Sequence, residues 1–302
     1  MLAGGLRECQ PGEAPGPDDR VVADASTCPP PEPTAGLSRL VALRSAGDRA
    51  RATDFVAAQG WSGFGCGALL ESAPPGSADL EVAGCLADGG VLGGVAVRAG
   101  VWGAVVAPLP EVWPALAGWV AAARPGLARL SGTAPVLDAL AAARPALFAR
   151  AGEFRLSMTV LGTLQPPART LPPVRRARLR DAPALHRIYD GVPWMRLPDL
   201  AAMRAHLRAE RTFVAEVDGG PVAVARWTHR FRHLLEVGAV ACDPHHRRQG
   251  AATAVVVAAC QAARRARLGV LLRYGDPQAG LLYHRLGFEH AGQMVIREWP
   301  AA

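Results

Sequence analysis

The sequence predicts an α/β protein made of two similar halves, in each of which strands and helices alternate along the chain. Two observations point to this class. Short runs rich in Val, Leu and Ala that are typical of strands alternate with helical patterns along both halves. The turn Asp88-Gly89-Gly90 of the first half recurs as Asp218-Gly219-Gly220 in the second, and Pro108 has Pro244 as its counterpart. The repeated order indicates a diverged internal duplication.

Two proline-rich segments divide the chain. Residues 1–36 are rich in Pro, Gly and small polar residues and lack apolar periodicity, so we expect a flexible tail. Residues 165–173 carry two proline pairs, which resist both helix and central strand, and this segment is predicted to be a linker. The predicted domains are therefore residues 37–164 and 174–302.

Individual elements follow from periodicity and turn residues. In the second half, Asp181 is predicted to cap a helix, and Val255, Val256, Ala259, Cys260 and Ala263 would share one face of a long helix. The strands predicted there are 176–180, 212–217, 221–228, 233–242 and 268–274, and the helices are 182–189, 199–210, 250–267 and 278–286, before a closing strand or hairpin. In the first half the predicted strands are 79–86, 91–97, 101–107 and 127–130, and the predicted helices are 110–123 and 134–143.

Charge is distributed unevenly between the halves. All 33 basic residues are Arg, since the chain contains no Lys. Residues 1–173 hold 13 Arg against 15 acids, a net charge of −2, whereas residues 174–302 hold 20 Arg against 11 acids, a net charge of +9. An anionic ligand is therefore expected in the second half. Both a nucleic acid and a phosphorylated cofactor fit this charge.

Several classes of protein are disfavoured. No uncharged apolar run reaches the roughly 18 residues of a membrane span, and no signal-peptide pattern opens the sequence, so we expect a cytoplasmic protein without a membrane partner. The six cysteines lack zinc-site spacing. The pair His245-His246 beside Asp243 has no third ligand at a suitable spacing, so no metal is expected.

The segment from residue 240 to residue 253 carries the strongest chemical signal. A strand ends at Asp243-Pro244, a loop with Arg247 and Arg248 follows, and a helix begins at Gly250. Free N–H groups and the positive end of a helix dipole would meet there beside two guanidinium groups, and small residues would let a ligand approach the backbone. Such a place suits a pyrophosphate.

This segment resembles the acetyl-CoA signature of the GNAT acetyltransferases, Arg/Gln-x-x-Gly-x-Gly/Ala, which stands here as Arg247-Arg248-Gln249-Gly250-Ala251-Ala252. Downstream, Leu282-Tyr283-His284-Arg285-Leu286-Gly287-Phe288 resembles the second marker of that family, Leu-Tyr-x-x-x-Gly-Phe. Each motif alone is modest. Their order and their strand–helix context make the resemblance strong over most of residues 174–299.

The resemblance implies roles for individual residues. Backbone groups of Val240, Ala241 and Cys242 would pair with the pantetheine arm. Tyr283 would protonate the leaving thiolate, and Glu236, eight residues before Pro244, would deprotonate the amine, often through water. Asp276 stands where many members have an Asn that touches the cofactor, so this contact stays open. The pyrophosphate would be held by Arg247, Arg248, Gln249, Gly250, Ala251, Ala252 and Thr253.

The resemblance also implies a fold, in which each half has a mixed, mostly antiparallel central sheet flanked by helices, and an activity. The second half would transfer the acetyl group of acetyl-CoA to the amine of a small-molecule or peptide acceptor, by direct attack in a ternary complex and without a metal. The first half has Leu109-Pro110-Glu111 after Pro108, with neither a basic residue nor a glycine cluster. It resembles the degenerate half of tandem GNAT proteins, and we expect it to shape or cover the substrate cleft.

Other interpretations remain open at this point. A longer donor such as succinyl-CoA, a CoA-binding regulatory module without turnover, and a nucleic-acid-binding protein are the alternatives. The last is disfavoured because the Arg-rich run at residues 175–180 has no interleaved aromatic residues. Tyr283 as a core residue, Glu236 as a salt-bridged strand residue, and Trp194 and Met195 as acceptor-pocket or core residues are also considered. A monomer and a homodimer are both compatible with the sequence.

Overall fold

The computed structural model describes residues 38–72, 77, 79–192, 199–209 and 211–300. The predicted tail at residues 1–36 lies outside these ranges, as do Trp194 and Met195. Residues Gly36–Ala302 form one compact unit. None of the helices in the described ranges combines the length and apolarity needed to cross a bilayer.

The first half contains six strands and five helices among the described residues. Helix α1 begins with a capping box, in which the Ser45 side chain accepts from Asp48 N and the Asp48 carboxylate accepts from Ser45 N. The strands are β1 (Arg39–Ala42), β2 (Leu80–Leu86), β3 (Leu92–Ala99), β4 (Trp102–Val106), β5 (Arg129–Thr133) and β6 (Gly152–Leu161). The helices are α1 (Ala46–Ala58), α2 (Phe64–Ser72), α3 (Trp113–Ala123), α4 (Ala134–Ala143) and α5 (Pro145–Phe148).

The second half repeats this order of elements, apart from the four-residue helix α5. Its strands are β7 (Val174–Arg176), β8 (Thr212–Val217), β9 (Gly220–Phe231), β10 (Leu234–Cys242), β11 (Gly269–Tyr274) and β12 (Phe288–Glu298). Its helices are α6 (Ala182–Asp190), α7 (Leu200–Ala209), α8 (Ala251–Arg265) and α9 (Pro277–Arg285). The element order therefore agrees with the predicted duplication.

All twelve strands belong to one sheet, in the order β1-β2-β3-β4-β5-β12-β6-β11-β10-β9-β8-β7. Among the strands of the described residues, only the pairs β4–β5 and β10–β11 are parallel. The last strand of each half has changed places: β12 pairs with β5 of the first half, and β6 pairs with β11 of the second. The mixed, mostly antiparallel fold class is confirmed, and the two predicted sheets are joined through the β6–β12 pair.

Helix α8 covers one face of the second half. Its predicted apolar face is confirmed, since Val255, Val256, Ala259, Cys260 and Ala263 are all fully buried. They pack on β8–β11, where Val, Ala and Leu side chains point to the same side of the sheet. This packing fixes the first turn of α8 beside the end of β10.

One predicted strand is wrong. Residues 176–180 were expected to be extended, but β7 ends at Arg176 and a short 3-10 turn occupies Leu179–Asp181. The Asp181 carboxylate accepts a hydrogen bond from Arg178 N at 2.6 Å and pairs with Arg175, which stabilises the turn instead of capping α6. Elements β1, α1, α2, α5 and β6 were not predicted.

Candidate active site

A cleft opens in the sheet where β10 and β11 diverge. The two strands are paired only from Leu234 to Glu236 on β10 and from Gly269 to Leu271 on β11. Beyond these residues the facing edges separate, and a cavity of about 1350 Å³ lies between them. A cavity of this size holds an extended ligand together with a second small molecule. Because the strands are parallel and already separated, backbone groups on the β10 edge face the cavity instead of a neighbouring strand.

A β-bulge shapes the wall of the cleft on β10. The pairing register with β9 shifts between Gly238 and Ala241, and Ala239 has a positive φ of 48°. The Tyr189 hydroxyl on α6 donates a hydrogen bond to Ala239 O at 2.8 Å and supports this strained position. Gly238, Ala239 and Val240 all line the cavity. Of the predicted strand residues, Val240 therefore reaches the cleft, and Tyr189 is a site residue that sequence reasoning missed.

The predicted pyrophosphate loop joins β10 to α8. Arg248 and Gly250 have positive φ values of 62° and 92°, so the chain turns sharply immediately before the helix. The first helical hydrogen bond runs from Ala254 N to Gly250 O at 2.9 Å, which leaves the N–H groups of Ala251, Ala252 and Thr253 without partners inside the helix. Ala251 and Thr253 are buried, and Ala252 is half-buried.

The side chains of the loop leave its positive charge uncompensated. Neither Arg247 nor Arg248 forms a hydrogen bond or an ion pair through its guanidinium group within the described part of the chain. The Gln249 amide bonds instead to His245 O at 3.3 Å. A turn with free N–H groups, a helix dipole and two free guanidinium groups has the features that an anion site requires.

Tyr283 lies on α9 at the inner wall of the cleft. Its side chain lines the cavity although the residue is only 5 % exposed, and its ring packs against Tyr274 and Phe288 with centroid distances of 5.6 and 5.9 Å. Burial, and then the charge of Asp276, raise the pKa of the Tyr283 phenol well above its ordinary value of 10.0. The hydroxyl therefore stays protonated at neutral pH and is available as a proton donor.

Asp276 caps helix α9. Its carboxylate accepts a hydrogen bond from Gln278 N at 2.9 Å, and the residue lines the cavity. An N-cap carboxylate stabilises a helix in the same way as the expected Asn would, which accounts for the Asp without a ligand contact. Gly287, beyond the other end of α9, has a φ of 90°, and a side chain there would collide with the carbonyl oxygen of Thr163. This collision explains the Gly of the second motif.

Glu236 lies on β10 before the cleft opens and is 3 % exposed. It accepts hydrogen bonds from the Thr228 hydroxyl at 2.7 Å and from Arg273 Nε, and lies 2.8 Å from His229 Nδ1. Burial raises the pKa of the Glu236 carboxyl, but the charge of Arg273 and the bonds from His229 and Arg273 outweigh it and hold this pKa well below 4.5.

A carboxylate held at so low a pKa is a poor proton acceptor. Glu236 is also not among the described residues that line the cavity, whereas its partner Arg273 is. The geometry therefore favours a supporting role, in which Glu236 fixes the Arg273 side chain at the cleft. The base role predicted from the family pattern stays a prediction.

Replacing Glu236 by Gln is expected to lower the free energy of unfolding by about 2 kcal/mol at neutral pH, because a buried charge-assisted hydrogen bond to Arg273 is lost. Since the folded pKa of Glu236 is depressed below 4.5, its contribution is complete above that pH and disappears as the pH falls towards the folded value. The difference between wild type and variant should therefore shrink in acid.

Urea unfolding at neutral pH and near pH 4, with the exposed Glu289→Gln as the control, measures this difference. A Glu236→Gln protein as stable as wild type but without turnover would contradict the supporting role and favour the base.

Strands from the first half complete the cleft. Arg129 on β5 and Phe154 and Arg155 on β6 line the cavity beside Ile296 of β12. Phe154 is 49 % exposed, and it is paired in register with Ile296. Arg129 pairs with Glu298 at 2.8 Å, and Arg155 pairs with Asp138 at 2.6 Å. This wall forms because β6 and β12 exchange places between the halves, and such long-range pairing cannot be predicted from a local sequence pattern.

The corresponding opening in the first half is closed. Strands β4 and β5 pair only from Trp102 to Ala104 and from Arg129 to Ser131. Beyond this, Gly132 approaches Val105 and Leu137 so closely that a side chain at Gly132 would overlap both. The segment before α3 contains Pro108 and Pro110 and no basic residue. These features support the prediction of a half without its own cofactor site.

The side chains of Ala241 and Cys242 belong to the end of β10, and the predicted contact of their backbone groups with the pantetheine arm stays a prediction. Cys242 ends β10, lies within 3.5 Å of Asp243 O and 3.6 Å of His246 O, and burial raises the pKa of its thiol. Asp243 accepts from His245 N at 2.9 Å, which organises the turn. Ala241 is buried against β9.

Comparisons with known proteins agree with this geometry. Residues 208–290 match the family model described as Acetyltransferase (GNAT) domain, which includes β8 to α9 and the loop before α8. None of the curated proteins matches the sequence significantly.

Three solved structures share the fold. A Drosophila protein has 14% identity, covers 88% of this chain and 100% of its own, and superposes with a TM-score of 0.58. A GCN5-related N-acetyltransferase from Kribbella flavida has 22% identity and a TM-score of 0.52, and the match covers 83% of this chain and 96% of the other. An acetyltransferase from the GNAT family from Colwellia psychrerythraea has 12% identity and a TM-score of 0.51, and the match covers 87% of this chain and 100% of the other. Each match extends over more than four-fifths of this chain, so the likeness includes both halves.

Proposed function

We propose that this chain, whose residues 208–290 are a GNAT acetyltransferase domain, transfers the acetyl group of acetyl-CoA to the amine of a second substrate. The observation that carries the proposal is the continuity of the cleft. It begins at the open edge of β10, passes the Tyr283 side chain and ends at a wall supplied by the first half.

The residues present fit the donor substrate. The unpaired Arg247 and Arg248 and the free N–H groups at the start of α8 are complementary to a pyrophosphate. The open β10 edge at Val240 offers backbone groups to the amides of the pantetheine arm. In this arrangement the thioester would lie between the β10 bulge and Tyr283, which both line the cavity.

The chemistry requires few protein groups. The neutral amine nitrogen attacks the thioester carbonyl carbon, the C–S bond breaks, and the sulfur leaves as a thiolate. Tyr283 donates its phenolic proton to that thiolate and regains a proton from solvent, while the amine loses its proton to water. Positioning of the two substrates in one cleft supplies most of the rate enhancement, and proton donation by Tyr283 supplies a further factor.

The acceptor binds at the composite wall. Phe154 and Ile296 offer apolar surface there, with the Arg129–Glu298 and Arg155–Asp138 ion pairs around it. This surface suits a small or peptidic amine that carries an apolar group.

Release of free CoA thiol from acetyl-CoA, in a panel of amino acids, polyamines, aminoglycosides and short peptides, tests the function. Thiol release that depends on one class of amine, with the acetylated product identified by mass spectrometry, is the expected result. Tight binding of acetyl-CoA without turnover on any amine would contradict catalysis and favour a CoA-binding regulatory module.

A further inference from the structure

The segment between β6 and β7 is fixed to the second half. At its start, Leu164 is buried and Gln165 N donates to Leu286 O at 3.0 Å, beyond the end of α9. At its other end, Glu216 N on β8 donates to Pro173 O at 3.0 Å. Leu171 packs on the core under α8. The predicted linker therefore follows one defined path across the first turn of α8.

This path brings Arg169 to the pyrophosphate loop. A methyl group built on Gly250 would lie 3.0 Å from a guanidinium nitrogen of Arg169 and 3.2 Å from Leu171 Cδ2. The Arg169 guanidinium thus lies directly over the residue that opens the helix.

The electrostatics of this arrangement are unbalanced. Within the described part of the chain, the Arg169 guanidinium forms neither a hydrogen bond nor an ion pair, and the same holds for Arg247 and Arg248. The acid of the loop, Asp243, is engaged by His245 N at 2.9 Å and lies 3.8 Å from His246 Nδ1. Three guanidinium groups without a carboxylate partner, together with the positive end of a helix, favour the binding of an anion.

We infer that Arg169 is a further donor-binding residue, which holds the pyrophosphate of acetyl-CoA from the linker side while the loop amides hold it from the protein side. This inference rests on the proposed function. It has a structural consequence: the bound donor bridges α8 and the segment that connects the two halves. The phosphate site is then built from two separate parts of the chain, only one of which belongs to the GNAT motif.

Calorimetric titration with CoA and with dephospho-CoA, which lacks the 3′-phosphate but keeps the pyrophosphate, tests the inference. Arg169→Ala is expected to weaken both ligands by about tenfold or more, the loss of one charge-assisted hydrogen bond. Arg169→Lys should retain part of the affinity, because it keeps the positive charge but loses the paired N–H donors of the planar guanidinium group. Arg150→Ala is the control, since Arg150 is exposed in the first half and has no partner among the described residues.

Each outcome decides a different statement. Unchanged affinity of Arg169→Ala for both ligands, with wild type binding normally, would overturn the role of Arg169 and leave the proposed function standing. A loss seen with CoA but not with dephospho-CoA would overturn the pyrophosphate contact, because the 3′-phosphate would then be the partner. If wild type binds neither ligand, the proposed function itself fails.

Discussion

Replacing Tyr283 by Phe is expected to lower kcat by about 10²- to 10⁴-fold, the usual contribution of a positioned general acid. The Tyr283 side chain on α9 lines the cleft, burial keeps its phenol protonated, and this phenol is the proton donor of the proposed reaction. The Phe ring preserves the packing against Tyr274 and Phe288. The KM for acetyl-CoA should therefore change little, and steady-state thiol release measures both constants.

Tyr274→Phe is the matched control, because Tyr274 lines the same cavity and carries the same hydroxyl. Its kcat should stay within a few-fold of wild type. If Tyr283→Phe keeps full turnover, or if both variants lose the same factor, Tyr283 is a packing residue and the thiolate leaves without its help. The raised pKa of Tyr283 also predicts the pH profile: ionisation of this phenol should not lower the wild-type rate at any pH below 10.0, the ordinary pKa of tyrosine.

Replacing Gly250 by Asp together with Arg248 by Ala is expected to weaken acetyl-CoA binding by about 100-fold or more, since two charge-assisted contacts are worth about 3 kcal/mol or more. The new carboxylate occupies the anion site and meets the Arg169 guanidinium, which lies 3.0 Å from the position of its Cβ. Asp tolerates a left-handed backbone and is favoured at an N-cap, so helix α8 should stay folded.

Gly219→Asp with Arg176→Ala provides the control for this double variant. Gly219 has a similarly positive φ of 78° but no atoms near its Cβ position, and Arg176 is an exposed Arg of the same half. The control makes the same two substitutions, and neither of its residues is among those that line the cavity. Calorimetry with acetyl-CoA compares the two proteins at matched thermal stability. Undiminished binding by Gly250→Asp, Arg248→Ala would show that the loop is not the phosphate site.

Local features of the second half were predictable from the sequence. The turn at Asp218-Gly219-Gly220, the buried face of α8 and the loop at Gly250 each depend on a few neighbouring residues. These features include β8 at Thr212–Val217, whose bounds agree with the prediction. Within the first half, α4 at Ala134–Ala143 was equally well predicted, because its alanines and flanking strand leave few alternatives.

Long-range pairing was not predictable in the same way. Nothing in the alternation of β12 says whether its partner is β5 or a strand of its own half, since both offer apolar antiparallel edges. In the sequence, Arg169 is part of a predicted linker. Its position beside Gly250 depends on the long-range anchoring of Gln165 and Pro173, which no local pattern indicates. The Glu236–Arg273 pair could have been inferred from the parallel register, which places Glu236 beside Leu271 and hence on the face of Arg273 two residues later.

The direct test of the central claim is a calorimetric titration of the wild-type protein with acetyl-CoA. The open cleft between β10 and β11, and the closed one between β4 and β5, predict one binding site per chain. Binding at two sites per chain would show that the first half keeps a donor site despite the close packing at Gly132, and the absence of binding would contradict the acetyltransferase assignment of the cleft.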